Sequence, residues 1–536
     1  MDWAKAPQQR DQMVLFSKRL DDALGPDHQV RLFDDILSRL DWTKWESTYD
    51  LTRGQPPIHP KIVASVILYG LLCRIRSSRG LEEALQVRLD FRWLVEGRSI
   101  DHTTISEFRR KNADALQETF VQVGMVAREM GCLPLETLAF DGTRMRANNR
   151  KTGTRTIDRL RELKQQLSEK FAELEAKTAA ADDRDEERLG DQSAHTLSDE
   201  LADVKRRQRK VDAAIAEVKR MEEADETIPN RIPITDPQSR VTPNKEGGYA
   251  PNYTPLATVD VDSGLIVSTD VIANTDEDKY LIAAIQDTQE QFGLDAPPPE
   301  MLADGMMATG ENLSQCDALG VDLYSPLKGQ RDTDNPALRD DPTQPVAASD
   351  RDRLPTMTVN RKGSKSEQLD KQAFVYDAEE DCYWCPQGKR LDYANTTSET
   401  RNGRRRIRRR YKASTEDCAE CPLLALCLQG KAKRRTINRE QHESHREAHA
   451  TKMSTDEAKA KYSRRRHPGE RPFAVTKQVF GARRFLLRGL DRVKQEWTWL
   501  AIAFNLTRLI GLIGGGAGPP PASINGPDHQ PQPRTT

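Results

Sequence analysis

The chain has 536 residues, 31% of them charged and 36% hydrophobic, with a mean hydropathy of −0.74. That length calls for roughly two to four domains or subdomains, and that polarity reads as a soluble protein and argues against a membrane one. The formal net charge of −1 hides local asymmetry. Acidic residues gather around 181–187 and 221–226, whereas 401–411 reads RNGRRRIRRRY and 464–466 is a second arginine triplet. Basic clusters in a neutral chain point to local polyanion contacts.

The opening MDWAKAPQQRDQMVLFSKRL has no continuous apolar run of the kind a secretory signal carries. Residues 1–130 read as helical. IHPKIVASVILYGLLCRIRSSRGLEEAL places Ile62, Val66, Tyr69 and Leu72 at helical spacing, with Ser77 and Ser78 as a break and cap. In SIDHTTISEFRRKNADAL, Thr103 or Thr104 can cap a helix carrying Arg109 and Arg110. Short helices with basic surfaces suit a DNA-binding region, in which these two arginines are candidate phosphate contacts.

A short strand follows in 131–154, ending TLAFDG, with Asp141 at its tip beside Arg144, Arg146, Arg150 and Lys151. Residues 155–230 are charged and helical with partly apolar a/d positions, the pattern of an inserted coiled-coil arm. In 231–330, LATVDV and LIVSTDVIA flank Asp262-Ser263-Gly264 as a β-hairpin, a helix is expected from about 276 to 292, and the strand EMLADG ends in Asp304. Another helix and the strand VDLYSPLK complete a mixed α/β core. Residues 331–373 read as a polar linker, 374–430 as a cysteine-rich insertion, 431–513 as a C-terminal helical part and 514–536 as a disordered tail. The most apolar stretch, WTWLAIAFNLTRLIGLIGGG, is interrupted by Asn505, Thr507 and Arg508, so it reads as a buried helix and no membrane span is expected.

Two strands of one sheet that both end in aspartate can bring carboxylates to one edge, where a hard divalent cation relieves their repulsion. Such ions serve phosphoryl transfer, which makes Asp141 and Asp304 candidate ligands for Mg²⁺. Asp260 and Asp262 are rivals for the second place. Asp262 reads as a turn residue of the hairpin and Asp260 as a solvent-facing strand residue.

YGLLCRIRSSRGLEEAL, IDHTTISEFRRKNADAL, FDGTRMRANNRK, TDPQSRVTPNKEGGYAPNYTPLATVDVDSGLIV and ERPFAVTKQVFGARRFLLRGLDRVKQEW, in this order, resemble insertion-sequence transposases of the IS4/IS5-like group, closest to the IS1182-like branch. The resemblance spans most of residues 30–510. It implies an RNase H-like core holding two divalent metals, Mg²⁺ or Mn²⁺, on a DDE triad. The triad falls on Asp141, Asp304 and Glu470. Arg466 and Lys477 fall on the arginine and lysine of the Y-R-E-K signature and are expected at DNA phosphates. That signature's tyrosine position is Ser463 here, and DAGY is replaced by DGMM after Ala303. Pro468 and Pro472 argue against a regular helix through the signature. The implied activity is hydrolysis at the ends of a mobile element and joining of the 3′-hydroxyls to target DNA. The implied partners are double-stranded DNA and, because two ends are cut together, a second copy of the chain. A transposase-derived DNA-binding protein that no longer cuts, or a nuclease without strand transfer, are the alternatives.

Five of the eight cysteines lie within 382–427, a density that suits a metal site in a reducing, cytoplasmic compartment, with nucleoid association when bound to DNA. Cys382, Cys385, Cys418, Cys421 and Cys427 offer five thiols for the four places of a zinc ribbon. Pair symmetry favours the first four, and similarity to the family's CPxG and CxxC-x5-C pattern favours Cys385, Cys418, Cys421 and Cys427. Between the pairs, Arg404, Arg405, Arg406, Arg408, Arg409 and Arg410 form an expected basic finger along a phosphate backbone.

Overall fold

The computed structural model describes residues 19–50, 56–150, 153–189, 199–244, 247–327, 335–361, 364–401, 404–428 and 430–513. The expected tail at 514–536 lies outside them. The chain divides into two compact units. One comprises Met1–Glu217, Pro229–Ala303 and Ser463–Thr536, and the other Val218–Ile228 and Asp304–Tyr462.

In the first unit, helices Pro60–Leu72, Ser78–Val87, His102–Phe108 and Ala113–Glu129 form the helical region expected. Ser77 caps the second of these by accepting from Gly80 N at 3.1 Å. The third is capped by Asp101, whose Oδ1 accepts from Thr103 N and Thr104 N at 2.7 and 2.8 Å. A carboxylate with two donors outcompetes the threonine hydroxyls expected there.

The strand Thr137–Gly142 pairs antiparallel with Tyr249–Asp260, Asp141 opposite Ala257. Tyr249–Asp260 in turn pairs antiparallel with Ile266–Ile272. On the other side Thr137–Gly142 runs parallel to Glu300–Leu302, with Ala139 opposite Leu302. The 3-10 turn Glu277–Tyr280 and helix Leu281–Gln291 occupy the expected helical segment. Asp260 is fully buried, not solvent-facing. Its Oδ1 accepts from Ser263 N at 2.7 Å and its Oδ2 from Leu135 N at 3.1 Å, so it is spent on holding the hairpin turn. Gly264, with φ +71°, completes that turn.

Helix Leu490–Ile513 is the buried helix expected, and no described helix is long and apolar enough to cross a membrane. Its Trp497 Nε1 donates to Leu256 O at 3.0 Å and its Arg508 Nε to Ser263 O at 2.7 Å. Trp499 on the same helix meets Trp45 and Phe108 at ring-centroid distances of 6.1 and 6.2 Å. The helical N-terminal region is therefore packed directly on the helix that backs the sheet. The two arm helices, Ile157–Leu189 and Asp199–Glu223, bury Leu160, Leu167, Leu201, Val204 and Val211, and are tied by Lys164 and Asp212 at 2.8 Å.

In the second unit, 331–373 departs from the linker expected. It contains the hairpin Thr356–Arg361 with Ser364–Leu369, and Ala337, Val346, Leu354, Leu369 and Ala373 are buried with Tyr383, Leu391 and Tyr411. Its few apolar residues are spaced too irregularly to show a period. A five-stranded antiparallel sheet follows, in which Arg390–Arg401 and Arg404–Ala413 form a long hairpin. Both units together make a mixed α/β protein.

Candidate active site

Asp141 sits at the end of its strand, where the apolar run Leu138-Ala139-Phe140 gives way to Gly142. The signature segment does form a helix, Arg466–Ala474, despite its two prolines. Pro468 falls in the first turn, where its missing N–H has no intrahelical partner to lose, and a π-helical turn, Val475–Val479, absorbs the irregularity after Pro472.

This helix carries its backbone against Asp141. Gly469 is buried, and a Cβ built on it would lie 3.7 Å from Asp141 Cβ. One turn earlier, Arg465 Nη2 stands 3.1 Å from Asp141 Oδ1, and the two side chains are only 15% and 17% exposed. Lys477, half-buried in the middle of the π turn, donates from Nζ to Thr143 Oγ1 at 2.7 Å and to Arg144 O at 3.1 Å. The expected lysine thus reaches the chain two residues past Asp141. Glu470 and Arg466 occupy exposed positions of the same helix. Arg465, one residue before the expected arginine, is the cation that meets the strand tip.

On the opposite side of the strand, Glu277 is buried at 9% exposure, and a Cβ on Gly142 would come within 2.5 Å of its Oε2. Sequence reading missed Glu277 and Arg465. The one lies in a helical segment read only for periodicity, and the other sits in an arginine run whose members look alike.

Asp304 follows Leu302 by two residues, as Asp141 follows Ala139, which pairs with Leu302. It begins the second unit, where its Oδ1 accepts from Met306 N at 2.7 Å and its carbonyl from Ser325 Oγ at 2.5 Å. Gly305 is required in that turn, since a Cβ there would lie 2.6 Å from Pro326 O. Of the rivals, Asp260 is consumed by its turn, and Asp262 pairs with Arg464 at 2.6 Å.

Arg109 is not a DNA contact. It is 9% exposed and donates from Nη1 to Arg76 O at 2.7 Å. Arg76 in turn pairs with buried Glu496 at 2.8 Å. Arg110 is exposed. On the basic hairpin, Arg405, Arg406, Arg409 and Arg410 are exposed. Arg409 pairs with Asp381 and lies over Tyr393, and Arg408 lies 3.5 Å from Glu440 and 3.7 Å from Glu399. The Arg404 side chain lies outside the described residues.

The cysteines separate into two environments. Cys385 Sγ accepts from Gln387 N and Lys389 N, both at 3.3 Å, in a turn closed by Gly388 at φ +70°. Burial is the main cause that raises the Cys385 thiol, and the nearby Cys421 and Cys418 raise it further. Burial pushes Cys427 up to about 12, with Cys418, Cys421 and Cys385 all acting in the same direction. These four pack against one buried cluster that includes Leu369 and Leu423. Cys382 is fully buried on its strand, among Arg390, Asp377 and Asp392. Among the described residues, no three His, Cys, Asp or Glu side chains are gathered as a metal-binding group.

Two family models match the chain. A transposase DDE domain covers residues 384–510, and a transposase domain (DUF772) covers residues 18–111. No curated protein matches it. Both models describe transposases, proteins that act on DNA, and the DDE class generally uses Mg²⁺ or Mn²⁺. This pair of domains is typical of IS1182-family transposases. The DDE match takes in Glu470, Lys477, Cys385, Cys418, Cys421 and Cys427, and it begins after Cys382.

Proposed function

We propose that this chain cuts DNA at the ends of an insertion element by metal-dependent hydrolysis and joins the freed 3′-hydroxyls to target DNA. The observation that carries the reading is the transposase DDE match together with an aspartate at the tip of a central strand, packed on the signature helix. An antiparallel meander with a fourth strand parallel to its first is the arrangement an RNase H-like core needs, and supports that fold.

Asp141, Asp304 and Glu470 are the residues that would hold Mg²⁺ or Mn²⁺. Hard carboxylate oxygens suit these ions, and the matching two-residue offsets of Asp141 and Asp304 from paired strand positions fit a shared edge. A bound divalent pair supplies charge neutralisation at the phosphate and a more acidic water. Lys477, anchored at Thr143, holds a positive charge beside the strand tip, where a phosphate oxygen can accept from it. Arg466, Arg110 and the exposed hairpin arginines Arg405, Arg406 and Arg410 position the duplex without reading its sequence. A second copy of the chain supplies the site for the other element end.

Cys385, Cys418, Cys421 and Cys427 are the four we assign to a structural zinc. Their donor set suits it, because the two backbone N–H groups at Cys385 Sγ stabilise a thiolate.

The replacement of DAGY by DGMM from Asp304 onward favours, as second reading, a DNA-binding protein that no longer cuts. Strand cleavage of a duplex carrying the element's own end decides between them. Under the first reading, Asp141→Asn, Asp304→Asn and Glu470→Gln each bind this duplex but cut it ~10³-fold more slowly, about 4 kcal/mol in barrier. Wild type that binds the duplex yet never cuts it with Mg²⁺ or Mn²⁺ establishes the second, and cutting without joining makes it a nuclease.

A further inference from the structure

The carboxylate proposed as the first metal ligand already has a cation. Arg465 reaches Asp141 at 3.1 Å from the residue just before the signature helix, with both side chains more than four-fifths buried. The contact is built into the fold. Gly469 N donates to Arg465 O at 3.0 Å, and Gly469 itself packs on Asp141. Arg464, the preceding residue, is anchored separately on Asp262 at 2.6 Å. Yet the guanidinium is not fully satisfied, because its Nε is buried without a hydrogen-bond partner among the described residues. A pair that leaves one donor unmet is held less firmly than a two-pronged arginine–carboxylate pair.

We infer that Arg465 is the internal counter-ion of Asp141, and that its pairing and divalent-cation binding at Asp141 exclude one another. The inference rests on the reading of Asp141 as a metal ligand. A buried carboxylate without any cation would be costly, so a site that waits for metal needs a stand-in charge. A positive group within 4 Å also repels an incoming Mn²⁺. Metal must therefore displace the guanidinium, and the cost of that displacement appears as weakened metal affinity in the free protein. Arg465 is thus a positioning residue that tunes Asp141.

The test is Mn²⁺ titrated calorimetrically into the metal-free full-length protein without DNA, for wild type, Arg465→Gln, Asp141→Asn and the double variant. Arg465→Gln should bind Mn²⁺ about tenfold more tightly than wild type, the size of a typical coupling between two ligands of one group. That gain should vanish in the double variant. A merely structural arginine would leave affinity unchanged or lower it, and either result overturns the inference. If Asp141→Asn binds Mn²⁺ as wild type does, the metal-ligand reading itself falls. If Asp141→Asn loses binding while Arg465→Gln equals wild type, only the role of Arg465 falls. Should Arg465→Gln not fold, Arg465→Lys replaces it. Its weaker pair must raise affinity by a smaller factor, and unchanged affinity overturns the inference.

Discussion

Asn505 and Ile266 exchange two hydrogen bonds across 239 residues of sequence. The amide Oδ1 accepts from Ile266 N at 2.8 Å and Nδ2 donates to Ile266 O at 2.7 Å. A side-chain amide thereby takes the place of a neighbouring strand at the edge of the sheet, and Asn505 is fully buried. Replacing it with leucine keeps the volume but strands both Ile266 groups away from water. Asn505→Leu should cost about 2–4 kcal/mol, from two lost bonds and the desolvation left behind. Urea unfolding followed through Trp497 and Trp499 on the same helix measures it. An unchanged midpoint would mean that the pair contributes nothing.

Arg109 separates a basic-looking helix from a DNA-binding one. Burial pushes its pKa down to about 10, with Arg76 adding to the decrease and Glu496 opposing it. Its Nη2 is buried without a hydrogen-bond partner among the described residues. Arg109→Leu would leave Arg76 O unpaired and should cost about 1–3 kcal/mol in stability. Its effect on the salt dependence of duplex binding should be nil. Arg110→Ala should leave stability intact and lower the slope of log affinity against log salt by about 1. A slope change for Arg109→Leu would return that residue to the interface.

Much of this was legible in the sequence. The Asp262-Ser263-Gly264 turn between two β-branched runs named its hairpin, and the interrupted apolar stretch named its buried helix, because local patterns carry both. Arg109 was misread because one-letter periodicity does not say which face of a short helix meets another element. It is the packing of Trp499 and Glu496 on the N-terminal helices that buries it. Arg465 was invisible for a related reason. Its partner Asp141 lies 324 residues away, and in a run of three arginines only the fold selects the member that turns inward. Asp260 was expected to face solvent from strand alternation, but the hairpin closes on it and uses its carboxylate as a turn brace.

In the second unit, His449 Nε2 lies 2.6 Å from the Ser325 carbonyl, and since a carbonyl only accepts, that nitrogen carries a proton. Burial is the main cause that lowers the His449 pKa from its ordinary value. Lys452 and Arg446 push the same way, while the Ser325 bond and Asp322 oppose. Between the folded value and the unfolded value of about 6.5, the unfolded chain binds more protons, so stability rises with pH through this window, falls on acidification through it, and levels off below the folded value. Thermal unfolding followed from about pH 7.5 to about pH 5.5 should show a falling midpoint. His449→Gln should flatten part of that fall while retaining a donor for Ser325 O. An identical pH slope in the variant would show that other groups set it.

The cysteine assignment makes the last prediction. A neutral Cys427 thiol whose pKa is raised to about 12 by burial and by its sulfur neighbours cannot ionise near neutral pH on its own. Zinc binding supplies the charge that deprotonates such a thiol, so the metal should be tightly coupled to folding of this unit. Cys385→Ser, Cys418→Ser, Cys421→Ser and Cys427→Ser should each purify with little zinc by elemental analysis and lose several degrees of thermal midpoint. Cys382→Ser should keep its zinc, because its side chain is enclosed on the Cys382–Trp384 strand beside Arg390. It should show only the modest loss of a buried polar substitution. Wild-type protein purified without zinc, and indifferent to a chelator, would leave the four thiols as packing residues against Leu423 and Leu369. Zinc lost from Cys382→Ser but retained in Cys427→Ser would instead restore the symmetric set of two Cys-x-x-Cys pairs.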